Sequence, residues 1–343
     1  MKEENFLRKL QVTGGSTIIV SLPKSWVKGS GVKPGSYVSL KPQPDGSILI
    51  IPKSIGGREA LKEISINVAS GMTVDEAVRK FVAYYLVGYE LIRVKFNQGT
   101  IENKTIIKNI LRRKFIGVEP ISESADELVV QCIVGYKEIP LHTALTRMGV
   151  LTISMINDAM NALKNVDHKM ALEVFDRDDE VDRLYFFTVR QLKKAVRETA
   201  TLNEIGLPTA RACLGYRMII KSIERAADHA ARIASLATAL KKPATEEIVK
   251  EMEKIKEIST ATLKESLNLI FKFDFKKANQ LISRVEDVKS LEENLISKIL
   301  KQRLAVDEIV TLRLAIESLK RIVEYSADIA ETTINLTIEE PFT

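Results

Sequence analysis

This chain has little of what would tie it to secreted, redox or membrane classes. Among 343 residues there are two cysteines, Cys132 and Cys213. They lie far apart, in neither a metal nor a redox spacing, which argues against a disulfide framework. No apolar run approaches the roughly 18–20 residues of a membrane span. The opening Met1-Lys2-Glu3-Glu4-Asn5 has no hydrophobic segment behind it of the kind a signal peptide carries. A reduced, cytoplasmic location without membrane insertion is expected. Aromatic residues make up only 6% of the chain, while Leu, Ile, Val, Ala, Glu and Lys dominate, a composition that leans towards helices. Net charge is mild: +6 over this length permits a phosphate-facing patch without demanding one. What is plentiful, 45% hydrophobic and 28% charged residues, suits a soluble globular protein of two or three domains.

The organising pattern is a phrase that occurs twice, Ser222-Ile223-Glu224-Arg225-Ala226-Ala227-Asp228 and, about a hundred residues later, Ile322-Val323-Glu324-Tyr325-Ser326-Ala327-Asp328. Glu and Asp stand four apart in both, which on a helix puts the carboxylates on one face, one turn apart. Like charges so placed repel and invite a counter-charge, either a metal ion or a basic side chain. Lys221, Arg225 and Arg232 in the first copy, and Lys320 and Arg321 in the second, are spaced to form helical ion pairs.

Residues 6–10 and 16–22 read as short strands about a Gly14-Gly15 turn. Pro23 opens a short helix over 24–28, which Gly29, Gly31, Pro34 and Gly35 break. Strands over 37–41 and 47–51 follow, joined through Pro44-Asp45-Gly46. The glycine cluster is turn chemistry, since no Lys-Ser/Thr pair and no helix follows it. Four short strands and one helical turn are too few to bury a core alone, so pairing with a second copy is expected.

Periodicity then changes. Residues 64–69, 90–96, 117–122 and 127–134 read as strands, and 73–87 and 101–115 as helices. This β-α-β-α-β-β order fits a small sheet with helices packed on one side. It shows no nucleophile with its base, no glycine fingerprint and no metal spacing. The run Arg112-Arg113-Lys114 reads as a helix C-terminus answering its dipole, with an anion or partner site as the alternative.

From Glu138 onward strand signals vanish. Helices are expected over 141–163, 167–199 and 209–240, then, after a linker containing Pro243, over 245–271, 274–304 and 307–336. This is one three-helix pattern repeated, and two such units side by side fit the helix and loop lengths. The twin phrases fall in the third helix of each set. The fold class is therefore α+β multidomain, with a small β unit (1–54), an α/β module (55–137) and two all-α repeats (138–242 and 243–343).

Two resemblances bear on these regions. The order Arg8-Lys9-Leu10-Gln11-Val12, Ser16-Thr17-Ile18-Ile19-Val20-Ser21-Leu22-Pro23-Lys24, Gly31-Val32-Lys33-Pro34-Gly35 and Asp45-Gly46-Ser47-Ile48 resembles the AbrB/MazE/SpoVT swapped-hairpin domains. Those are interlocked dimers, many of which bind DNA through basic residues near the N-terminal strand. The resemblance implies a homodimer and makes Arg8, Lys9, Lys24 and Lys28 the phosphate-facing positions. The plain reading of the same residues is a solvated edge that discourages aggregation.

The doubled Glu-x-x-x-Asp phrase, in register in the third helix of each repeat, resembles the phosphate-uptake regulator, or PhoU, family. There such motifs, with acidic residues of the preceding helix, are associated with multinuclear metal clusters or divalent cations. The resemblance assigns Glu224 and Asp228 to a first site and Glu324 and Asp328 to a second. Asp178-Asp179-Glu180-Val181-Asp182 is the matching second-helix segment of repeat one, with Asp179 and Asp182 on one face. In repeat two Lys289 replaces the counterpart of Asp182, leaving Glu286 and Asp287 nearby. Carboxylate oxygens suit Mg²⁺, Mn²⁺ or iron better than zinc, since no Cys or His accompanies them at useful spacing. The family also implies partners, a transporter ATPase or a sensor kinase.

The leading expectation is thus a non-enzymatic regulator of phosphate uptake with a dimerising or DNA-binding head. The alternatives are a DNA-binding transcriptional regulator with ligand-sensing C-terminal domains, and a carboxylate-bridged metalloenzyme.

Overall fold

A computed structural model describes residues 6–42, 46–52, 61–97, 99–133, 135 and 138–338. The chain divides into two compact units, residues 1–60 and 61–343. The opening pentapeptide, Pro44, Asp45 and Val134 lie outside the described residues, as do the residues on either side of the expected 54/55 boundary.

The first unit holds two hairpins. Strands β1 (Gln11–Thr13) and β2 (Thr17–Ile19) pair antiparallel with Val12 opposite Ile18. Helix α1 (Lys24–Ser30) follows and ends at Gly31, whose φ of 69° is the left-handed conformation that glycine adopts freely. Strands β3 (Val38–Pro42) and β4 (Ile48–Pro52) form the second antiparallel pair. The strand expected over residues 6–10 is irregular instead, because the β1–β2 ladder starts at Gln11 and no strand among the described residues pairs with the segment.

The second unit begins with the α/β module, comprising β5 (Glu63–Val68), α2 (Val74–Val87), β6 (Leu91–Phe96), α3 (Asn103–Lys114), β7 (Val118–Glu123) and β8 (Glu127–Cys132). Sheet order is β5-β6-β8-β7, parallel between β5 and β6 and antiparallel elsewhere. Strand alternation turns Ile66, Val68, Ile92 and Val94 onto Phe81, Tyr85, Ile107 and Leu111 of the helices, while Ser65, Asn67, Arg93 and Lys95 take the other face. Thr73 and Glu76 close α2 with a capping box: the Thr73 hydroxyl accepts from Glu76 N at 3.2 Å and the Glu76 carboxylate accepts from Thr73 N at 2.9 Å.

Six long helices and one short one make up the rest: α4 (Leu141–Asn165), α5 (His168–Ala195), α6 (Thr199–Glu204), α7 (Ala212–Ala237), α8 (Glu246–Phe271), α9 (Phe275–Lys301) and α10 (Val306–Thr337). The second helix stops at Ala195 rather than near 199, and the chain turns into α6 so that Leu202, Ile205 and Leu207 can enter the core. One hydrophobic core runs through both repeats. They meet along α7 and α10, and along α4 and α8. Gly149 permits the second contact, since a Cβ there would stand 2.3 Å from Leu267 Cδ1. The α/β module sits on α5, where Phe186 stacks 5.3 Å from Phe115 and Arg190 lies 4.7 Å over the Tyr85 ring.

Candidate metal centre

Helices α5 and α7 bring the first acidic phrase together. Asp178 and Asp182 are one turn apart on α5, and Glu224 and Asp228 one turn apart on α7. Carboxylate oxygens of Asp182, Glu224 and Asp228 all lie within 4.8 Å of one another. Two like charges at that separation repel by about 3 kcal/mol at an effective dielectric of about 20, more than an exposed ion pair returns. Glu224 is buried at 8% exposure, beneath Ala227 and Ile220 of the core-facing stripe, so water does little to relieve it.

The acids respond as crowded carboxylates must. Burial, followed by Asp228, Asp182, Asp179 and Glu224, pushes Asp178 up to about 7. Partial burial, then Glu224 and Asp182, push Asp228 up to about 6 against the pull of Lys221 and Arg225, although the residue keeps an exposed flank. Burial also raises Asp182, with Lys114 acting in the opposite sense. Lys221 Nζ reaches both Glu224 oxygens, at 2.6 and 2.5 Å. It is itself held over the Tyr185 ring at 5.1 Å. Lys114 stands 4.0 Å from Asp182. Four carboxylates therefore face Lys221, Lys114 and Arg225, and burial with mutual repulsion still raises Asp178 and Asp228, so a divalent cation suits the cluster. The donors are all oxygens, the chemistry of Mg²⁺, Mn²⁺ or iron.

Asp179, expected beside Asp182, is hydrogen-bonded by Arg113 of α3. Asp178 faces α7 in its stead, for a residue four before Asp182 shares its face more closely than one three before. His229 turns away from the carboxylates to the Tyr325 ring, 5.7 Å distant.

The second phrase is arranged differently. Arg321 binds Glu324 and also donates to the Tyr325 hydroxyl at 2.7 Å. Burial and Glu331 raise Asp328, while Arg321 and Arg225 act to lower it. Lys320 neutralises the buried Glu292 of α9 at 2.6 Å, and Lys289 lies 3.7 Å from Glu286 at the surface. Among the described residues no third acidic, His or Cys side chain joins Glu324 and Asp328 at ligating distance. Arginines of the chain itself supply the counter-charge there.

In the first unit Arg8 and Lys9 lie in the exposed irregular segment before β1, and Lys24 and Lys28 are exposed one turn apart on α1. Sequence reasoning missed Asp178 and Lys114. The first was visible as the i−4 partner of Asp182, and the second only as part of a basic helix end.

Comparison with known proteins follows the same division. The family model for the PhoU domain matches residues 145–237 and again 252–333. The chain belongs to the PhoU family. The model for the MazE antitoxin, an antidote-toxin recognition family, matches residues 11–57. A phosphate-specific transport system accessory protein PhoU homolog of Clostridium acetobutylicum is 27% identical over 201 residues, covering 57% of this chain and 90% of that protein. One from Caulobacter vibrioides is 32% identical over 97 residues, 28% of this chain and 39% of that protein. The crystal structure of PhoU from Pseudomonas aeruginosa superposes with a TM-score of 0.52 at 20% identity, over 57% of this chain and 94% of its own. The phosphate transport system regulatory protein PhoU from Streptococcus pneumoniae gives 0.50 at 21%, over 57% and 92%. These two share the PhoU fold of the helical repeats. No helix among the described residues is long and apolar enough to cross a membrane.

Proposed function

We propose that the chain regulates phosphate uptake, as the named activity of its PhoU relatives suggests, through a divalent cation held in the first repeat by Asp182, Glu224 and Asp228. The convergence of these three carboxylates from two helices carries the metal reading. Asp178, raised by burial and by these neighbours, releases its proton more readily once a cation is bound beside it. The cation would neutralise the cluster and fix α5 against α7, presenting a defined face to a transport-system partner. Iron, Mn²⁺ and Mg²⁺ all accept this donor set. At the second phrase Arg321 pairs with Glu324 and no third ligand joins Asp328 among the described residues, which supports a weaker site there. The relatives' names describe accessory and regulatory proteins, which supports a regulatory role for this chain. Elemental analysis of gently purified protein should find metal, reduced in Asp228→Ala. Returned to cells lacking the chain, that variant should fail to restore control of phosphate uptake. Less than about a tenth of an equivalent of metal in the parent protein would remove the metal reading, and uptake indifferent to the chain would remove the regulatory one.

A second reading concerns the head. The MazE-type match and the exposed Arg8, Lys9, Lys24 and Lys28 favour contact with DNA phosphates. Duplex DNA should be retarded in a gel at low salt and released by Lys24→Ala/Lys28→Ala. Absence of any shift at low salt leaves the head with dimerisation alone.

A further inference from the structure

The basic end of α3 has a partner. Arg113 hydrogen-bonds Asp179 and lies 3.5 Å from Asp176, so the last turn of the α/β module's second helix is set along the acidic edge of α5. Lys114, next in line, has its Nζ 4.0 Å from Oδ2 of Asp182, the carboxylate that also faces Glu224 and Asp228. Asp182 is thus shared between two modules.

The two lysines at the centre are held very differently. Lys221 is one turn from Glu224 on the same helix, contacts both its oxygens, and rests on an aromatic ring. Lys114 reaches across from another module at the outer limit of an ion pair, with 40% of its side chain exposed, on a flexible stem that can swing into water. A dication entering among Asp182, Glu224 and Asp228 repels a cation 4 Å from one of its ligands and takes over its electrostatic work. Apolar packing of Phe115 on Phe186 and the Arg113 pairs with Asp179 and Asp176 are untouched by this exchange, so the module stays docked while Lys114 alone is released.

We propose that Lys114 and a bound divalent cation are alternative counter-charges for Asp182, so that loading the centre frees the Lys114 side chain at the end of α3 and couples this corner of the α/β module to metal occupancy. This rests on the metal reading above. Because coupling between two sites is reciprocal, anything that binds the α/β module and draws Lys114 away also tightens metal binding.

Mn²⁺ binding by the full-length protein, measured calorimetrically after chelator treatment, is the test. Lys114→Met should bind Mn²⁺ about three- to tenfold more tightly than the parent, from the removed repulsion. Lys108→Met, on the same helix but paired with Glu123 of β7 at 2.5 Å, should bind as the parent does. Acetylation of the Lys114 amine, followed by mass spectrometry, should quicken when Mn²⁺ is added to the parent protein, while that of Lys108 should not change. Parent and Lys114→Met binding Mn²⁺ alike, or Lys114 acetylation unchanged by the metal, overturns the coupling and leaves the metal site standing. No Mn²⁺ uptake by either protein overturns both.

Discussion

Asp178 carries its charge at a cost that the rest of the chain does not relieve. Its pKa moves from the ordinary 3.8 to about 7, so the folded state holds on to a proton that the unfolded chain releases. Its contribution to stability is therefore full below pH 4 and is lost as pH rises through 7. Metal-free protein should melt at progressively lower temperature from pH 5 to pH 8. Asp178→Asn should flatten that decline and raise the melting temperature at pH 8 by about 2–4 °C. A divalent cation should produce a similar gain in the parent by mass action. Parallel pH profiles for parent and Asn variant would show that the carboxyl is not strained.

At the level of elements, α4 and α8 approach closely because Gly149 has no side chain, with Leu267 filling the space. Gly149→Ile should force Leu267 out of place and destabilise the protein by about 1–3 kcal/mol, read as a lower denaturation midpoint with unchanged slope. An unchanged midpoint would mean that the repeats can slide apart at little cost. The elements themselves were largely legible. Helical periodicity and the Pro243 linker mark the helices within a few residues of where they lie, as the starts at Thr73 and Asp167 illustrate. The misses fall where a long-range partner decides the outcome. Residues 6–10 have strand composition but no strand to pair with among the described residues, and Asp179 has the right spacing but is claimed by Arg113 from a helix over sixty residues earlier. Side-chain pattern within one helix identifies which acids share a face. It carries nothing about which cation another module brings to that face, and so Lys114 could not be found that way.

At the level of the whole molecule, the N-terminal unit buries none of its described residues. Leu10, Val12, Ile18, Leu40 and Ile48 are all at least 60% exposed. We propose that a second copy of the chain covers this apolar surface, making a dimer. Light scattering should give twice the chain mass for the parent and the single-chain mass for a protein lacking residues 1–52. Val12→Asp/Ile18→Asp, a facing pair on the β1–β2 ladder, should do the same. Mass unchanged in both would place the association elsewhere.

The duplicated helices end up with unequal means of staying neutral. At the second phrase the answering charges, Arg321 beside Glu324 and Arg225 of α7 near Asp328, are covalently part of the chain. No chelator, dialysis or shift in cellular ion supply can remove them. On the proposed reading the first repeat relies in part on a charge borrowed from solution. One half of the duplication then behaves as a fixed standard and the other as a variable read against it. A difference between two nearly matched halves is a signal that temperature or crowding, acting on both alike, would leave largely unchanged.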